Sequence, residues 1–419
     1  MNTPNPATTL PRSLAVQVFL AFAAAYFLSA LVRAITATLS PTLSKEFALS
    51  SADLGLLAGG YFLGFALTQI PLGKWLDSHG PKKVILSFLS VAVLGCLAFA
   101  WAPNFVGLLA ARILCGVGVS ACLMAPLTAY RRWFAPETQL RANSWMLMTG
   151  SLGMVASTLP VQWLLPQIGW RPMFVGLAIW IALASLVLAW RLPRWEKKTP
   201  STTAIALDGG YASIWRHPYF RRHLWLGFFS YGGMVAIQTL WAGPAMVQVN
   251  GYTPAQAATG LFWINVSMLC TFWTWGIVNP ILARRGLHAD GLITWGVPLS
   301  LLILAIICIA GCAVDWWVWA LFCVFSSCMS LAQPAVGMAF ASQLAGRALS
   351  AYNLVIFSGI FIVQWGIGLL IDGFKAYGLP TQQAFGAAFT VFFVCAFAAY
   401  LRFVLDNGST ATSGQPSRV

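Results

Sequence analysis

The chain has 419 residues, of which 59% are hydrophobic and only 8% charged, and its mean hydropathy is +0.77. That leaves too little polar surface to cover it in water, which excludes an ordinary soluble enzyme. The formal net charge of +14 does not mark a nucleic-acid binder, because the 24 Lys and Arg lie in short gaps between apolar runs and form no basic face.

Residues 1 to 13 are polar, and the first apolar run lacks a small-residue cleavage site, so it is read as a retained helix and not a removable signal. Runs of about 20 apolar residues, enough to cross roughly 30 Å of hydrocarbon as a helix, fall near 14–40, 52–75, 83–101, 105–130, 142–165 and 172–192. After a break they resume near 223–248, 256–282, 290–312, 316–340, 347–374 and 382–405. The fold class predicted is an all-α membrane protein with twelve spans in two six-helix, pseudo-symmetric bundles. Residues 1–192 form the first bundle, 193–222 a cytoplasmic linker, and 223–419 the second bundle with a short tail. Within the linker, Tyr211 to Phe220 reads as an amphipathic helix on the membrane surface.

Positive residues are retained on the cytoplasmic face of a membrane. Nineteen of the 24 Lys and Arg fall on the side shared by both termini; only Lys45, Arg171 and Lys375 fall on the other, and Arg33 and Arg112 lie inside spans. Both termini are therefore expected in the cytoplasm of a cell with an inner membrane. The even span count gains support, since one missed helix would scramble the sides of every later loop.

Several motifs sit on this frame. Gly73 to Leu86 reads GKWLDSHGPKKVIL, and a weaker echo, Gly276 to Gly286, follows the second span of the other half. The first segment resembles the signature loop of the major facilitator superfamily through Gly73, Asp77, Gly80, Lys82 and Lys83, with Ser78 where that pattern has Arg. Arg112-Ile-Leu-Cys-Gly116-Val-Gly118 in the fourth span resembles a second motif of that family, and Arg131-Arg132-Trp-Phe and Gly169 to Phe174 extend the likeness. The resemblance implies a transporter working by alternating access, in which Gly73, Asp77, Gly80 and Lys83 latch the cytoplasmic side shut. Asp77 would meet the positive end of a helix from the other half. Arg112 either braces neighbouring helices through their carbonyls or takes part in coupling.

Arg33 stands about two thirds through the first span, eight residues before Pro41. This spacing looks like that of the organophosphate and organic-anion branches of the superfamily, where such an Arg binds the anionic group. A guanidinium suits that task because its planar fork grips a carboxylate with two parallel hydrogen bonds; the plainer reading is that Arg33 snorkels or pairs internally. The ten acids fall in loops or near span ends, so none is evident at mid-membrane, and Asp372 near the outer end of the eleventh span is the one candidate proton carrier. The seventh span holds no second basic residue, which suits a monoanion. Tyr26, Tyr61, Gln69, Tyr231, Gln238, Trp241, Asn265, Gln333, Asn353 and Gln364 are polar or aromatic residues inside spans, available to line a pocket or to join helices.

Catalytic and cofactor signatures are not found: the nine Cys lie within apolar stretches without zinc-ligand spacing, and no Ser-His-Asp or P-loop pattern occurs. The expectation is a monomeric secondary transporter, with no cofactor, that carries a small organic anion, a carboxylate, with a proton or counter-anion as coupling ion. Efflux of drug-like or metabolic compounds, or ligand sensing without flux, are the alternatives.

Overall fold

The computed structural model describes residues 10–134, 136–193 and 211–406, and every regular element in them is helical. The first span is α1 (Arg12–Phe47), and α2 (Ser51–Trp101) carries the second and third spans in one run. That run breaks at Gly80, whose φ of 77° only glycine adopts without strain, next to Pro81. The fourth span is α3 (Phe105–Val119) with α4 (Ala121–Trp133), the fifth α5 (Pro136–Ala156) with α6 (Leu159–Ile168), and the sixth α7 (Trp170–Arg191).

The fifth span, expected as one helix, is interrupted at Ser157 and Thr158. Pro160 just beyond has no N–H to offer the preceding turn. The Ser157 carbonyl instead accepts from the Thr38 hydroxyl on α1 at 2.8 Å, which ties the break to the first span.

The second bundle repeats the plan. After α8 (Tyr211–Arg216), the seventh span begins as α9 (Pro218–Trp225) and runs through a π-helical turn (Leu226–Tyr231), α10 (Gly232–Ala236), a second π turn (Ile237–Trp241) and α11 (Ala242–Gln248). Then follow α12 (Pro254–Arg284), α13 (Ala289–Ile309), the tenth span as α14 (Trp316–Ser326) and α15 (Ala332–Met338) around a 3₁₀ turn, α16 (Ser342–Ala376) and α17 (Thr381–Leu405). This is the twelve-span, two-bundle architecture expected. In the segment Tyr211 to Phe220, Ile214 and Phe220 are buried, and Phe220 meets Tyr352 edge-on, so one face packs on protein. Of the nine cysteines, which all fall in apolar stretches, Cys270 is exposed and Cys308 and Cys395 are half-buried.

The bundles meet along α2 and α16, which run antiparallel across the boundary. From the end far from the linker inward, Asp372 accepts from the Ser51 and Ala52 amides at 3.1 and 2.6 Å. Gly368 abuts the Ser51 carbonyl and Gly55 the Gln364 carbonyl, so closely that a methyl at either would collide with backbone. Next come Phe65 on Phe357, ring centres 4.1 Å apart, and Gln69, which accepts from Asn353 at 3.3 Å.

At the linker end a second tie secures the start of the seventh span. Buried Arg222 donates to Asp290 on α13 at 2.7 Å and to the Phe403 carbonyl on α17 at 3.0 Å, while the Tyr219 hydroxyl and His223 also reach Asp290. Removing the carboxylate strands a buried charge. Asp290→Ala should therefore cost about 3 kcal/mol of stability, whereas Arg402→Ala, in an exposed pair with Asp406, should cost less than about 0.5; thermal melts of the purified variants compare the two.

Candidate functional site

Between the bundles lies a cavity of about 690 Å³. Its deep part is walled by Tyr26 and Arg33 from α1 and by Tyr231, Met234, Val235 and Gln238 from the seventh span, and it extends to Lys74, Asp77, Arg131 and Arg347 at the linker end. Positions 231, 234, 235 and 238 share one helix face, and two of them sit on the π turns, where an extra residue per turn re-phases the side chains.

Arg33 is half-buried and, among the described residues, has no ion pair and no side-chain hydrogen bond; its buried Nε donates to nothing. Its backbone is held from behind. Arg112, fully buried, donates to the Val32 carbonyl at 2.9 Å and to the Arg33 carbonyl at 3.4 Å, with its guanidinium 5.2 Å from the Tyr61 ring centre. The Tyr61 hydroxyl donates to the Ser29 carbonyl at 3.2 Å, and Gly116 lets the fourth span touch the Tyr61 backbone. Carbonyl dipoles and a π face thus stand where a counter-carboxylate would otherwise be needed. The result is a guanidinium carried on a braced backbone and facing a space that holds no acid of its own until Asp77 at the mouth.

The sequence profile of the Major Facilitator Superfamily matches residues 22–364. The chain belongs to this superfamily. It is 26% identical over 294 residues to a gentisate transporter of Corynebacterium glutamicum, a match covering 64% of this chain and 62% of that protein. It is 25% identical over 283 residues to a gallate transporter of Pseudomonas putida, covering 59% and 62%. A probable L-galactonate transporter of Escherichia coli is 22% identical over 81% of this chain and 79% of its own. The chain thus spans less than two thirds of the first two of these relatives. In fold, a bacterial homologue of the human lysosomal transporter Spinster, solved inward-facing and unoccupied, superposes with a TM-score of 0.78 at 16% identity, covering 98% of this chain and 100% of that one. A D-xylose–proton symporter gives 0.75, also at 16% identity, over 93% and 97%.

Within this superfamily fold the expected site residues divide into two groups. Arg33, Tyr26, Tyr231, Gln238, Gln333 and Asn353 line the cavity. Tyr61, Trp241, Asn265 and Gln364 are buried behind its wall: Trp241 donates to the Gln364 carbonyl at 3.0 Å, Gln364 to the Thr239 hydroxyl at 2.9 Å, and Asn265 pairs with Gln238. Asp372 lies in the α2–α16 seam and does not line the cavity.

The signature loop borders the cavity mouth. Gly73 and Asp77 line it, Gly80 makes the turn, Lys83 is exposed, and Lys82 instead of Lys83 makes the recorded contact, to the Leu192 carbonyl at 2.7 Å. Asp77 makes no hydrogen bond or ion pair among the described residues; partial desolvation pushes its carboxyl above the ordinary range, against the pull of Arg347 and Arg131. Sequence reasoning missed Asn143, which lines the cavity with an unpartnered Oδ1, because an amide near a span end reads as a headgroup residue.

Arg112→Lys keeps the charge but loses the planar fork that holds two carbonyls. It should lower stability by about 1–2 kcal/mol, read as a drop in melting temperature, while Arg112→Ala should cost more.

Proposed function

We propose that the protein is a secondary transporter that carries a small organic monoanion, a carboxylate with an apolar body, by alternating access. One observation carries this reading: the cavity between the bundles contains a positioned, uncompensated guanidinium, Arg33. Leaving such a charge without a partner is costly unless something else supplies the negative group. Apolar walls from Met124, Met154, Met234 and Phe272 suit the rest of the solute. The gentisate, gallate and probable L-galactonate transporters among the relatives support an acid as cargo.

The Lys and Arg count supports a cytoplasmic linker and cytoplasmic termini at the inner membrane, and with that orientation the cavity mouth faces the cytoplasm and the α2–α16 seam closes the outer side. Transport requires the reverse arrangement too. In that state Asp77, with Gly73, Gly80 and Lys83 around it, latches the cytoplasmic side. The protein works as a monomer in the bilayer, and the driving force is the solute gradient or a coupled proton or counter-anion.

A ligand that binds only the folded state stabilises it by mass action, by about 2.7 kcal/mol at a hundred times its Kd. Thermal shifts of the purified protein against carboxylates, phosphate esters, sugars and cationic drugs should respond to carboxylates, and Arg33→Ala should abolish that response. The apolar wall also favours a second reading, efflux of drug-like compounds. Shifts from neutral or cationic compounds alone, unchanged in Arg33→Ala, would replace the first reading with it.

A further inference from the structure

Amide side chains normally leave open which end is oxygen and which nitrogen, but the surroundings of Gln238 settle it. The Asn265 Nδ2 donates to the Leu261 carbonyl at 2.9 Å, and a backbone carbonyl can only accept. Asn265 must therefore turn its Oδ1 toward Gln238, where it accepts from Gln238 Nε2 at 3.0 Å. Flipping either amide would set oxygen against oxygen. The atom left over is Gln238 Oε1. It accepts no hydrogen bond from the described residues, and unlike the sealed Oε1 of Gln364 it belongs to a residue on the cavity wall and is not closed off from the cavity. The cavity thus has opposite polarities at two places: donors on Arg33 and a fixed acceptor on the seventh span.

From this we infer that Gln238, oriented by Asn265, selects cargo that carries a hydroxyl group as well as a carboxylate. The inference rests on the reading that Arg33 takes the carboxylate. A carboxylate oxygen is repelled by Oε1 and attracted to Arg33, so the solute has one favoured direction in the cavity. A hydroxyl on its body then donates to Gln238 Oε1. A cargo without that hydroxyl displaces water from the amide oxygen and gives it no donor in return, leaving a buried acceptor unsatisfied. The discrimination expected from one such loss is about tenfold to a hundredfold in Kd. Gln238 is then a specificity residue in contact with the cargo, and Asn265 a positioning residue acting through it.

The test measures Kd by calorimetry on the purified full-length protein for matched pairs: benzoate against 2-, 3- and 4-hydroxybenzoate, and hexanoate against 6-hydroxyhexanoate. Wild type should bind at least one hydroxy acid about tenfold or more tighter than its parent acid. Gln238→Leu and Gln238→Met should lose the preference, with the parent acid bound more tightly than by wild type because the acceptor it leaves unsatisfied is gone. Asn265→Leu, which frees the amide to flip, should reduce the preference without removing it. Equal wild-type affinities for parent and hydroxy acids, or a preference that survives in both Gln238 variants, overturns the inference while leaving the carboxylate reading standing. Carboxylate affinities unchanged in Arg33→Ala, or no carboxylate bound by wild type, overturns the reading itself and the inference with it.

Discussion

The antiparallel contact of α2 with α16 is the constraint on which the shape of the molecule depends. Inside a bilayer, lipid tails are as apolar as leucine, so there is no hydrophobic drive to bring two bundles together in one register. Small residues and hydrogen bonds have to do it. Gly55 and Gly368 let one backbone touch another, and Asp372 collects the two amides at the start of α2, groups that a helix cannot satisfy itself. A carboxylate at a helix N-terminus also meets the favourable end of the helix dipole. With the bundles joined along this line, the space left between them becomes the cavity.

What the cavity holds is decided by electrostatics. Two arginines, Arg33 and Arg112, lie inside the spans of the first bundle, and their charges meet different surroundings. Arg112 is turned into the protein, where the Val32 and Arg33 carbonyls accept from it and the Tyr61 ring faces its charge. Arg33 is turned toward the cavity and left without an acid. The buried network then adds direction: Gln333, Asn353 and Gln69 form an amide chain across the boundary of the bundles, while Asn265 and Gln238 form a shorter one ending at the cavity wall.

Much of this was legible in the sequence. Span lengths are set by hydrocarbon thickness, so all twelve spans and the Gly80 turn can be located by hydropathy and glycine alone, and Arg33 stands out because a charge inside a span needs a reason. The break in the fifth span was not legible, since it is held by the Thr38 hydroxyl of another helix donating to the Ser157 carbonyl. The two π turns of the seventh span have no marker in composition. Trp241, Asn265 and Gln364 look the same in sequence as Tyr231 and Gln238, and only packing tells which amide faces the cavity and which faces the next helix. Asp372, near the outer end of the eleventh span, reads in sequence as the candidate proton carrier, because the helix start it caps lies more than three hundred residues away in the chain.

Whether this cavity carries an organic anion across the membrane can be measured directly. Counterflow tests it most directly: proteoliposomes are loaded with unlabelled 4-hydroxybenzoate, diluted, and offered a trace of the labelled acid outside. Transport through the cavity gives a transient accumulation of label above equilibrium that is lost in Arg33→Ala. No protein-dependent accumulation with any of a panel of aromatic and aliphatic carboxylates, from a preparation that is folded and reconstituted, would contradict it.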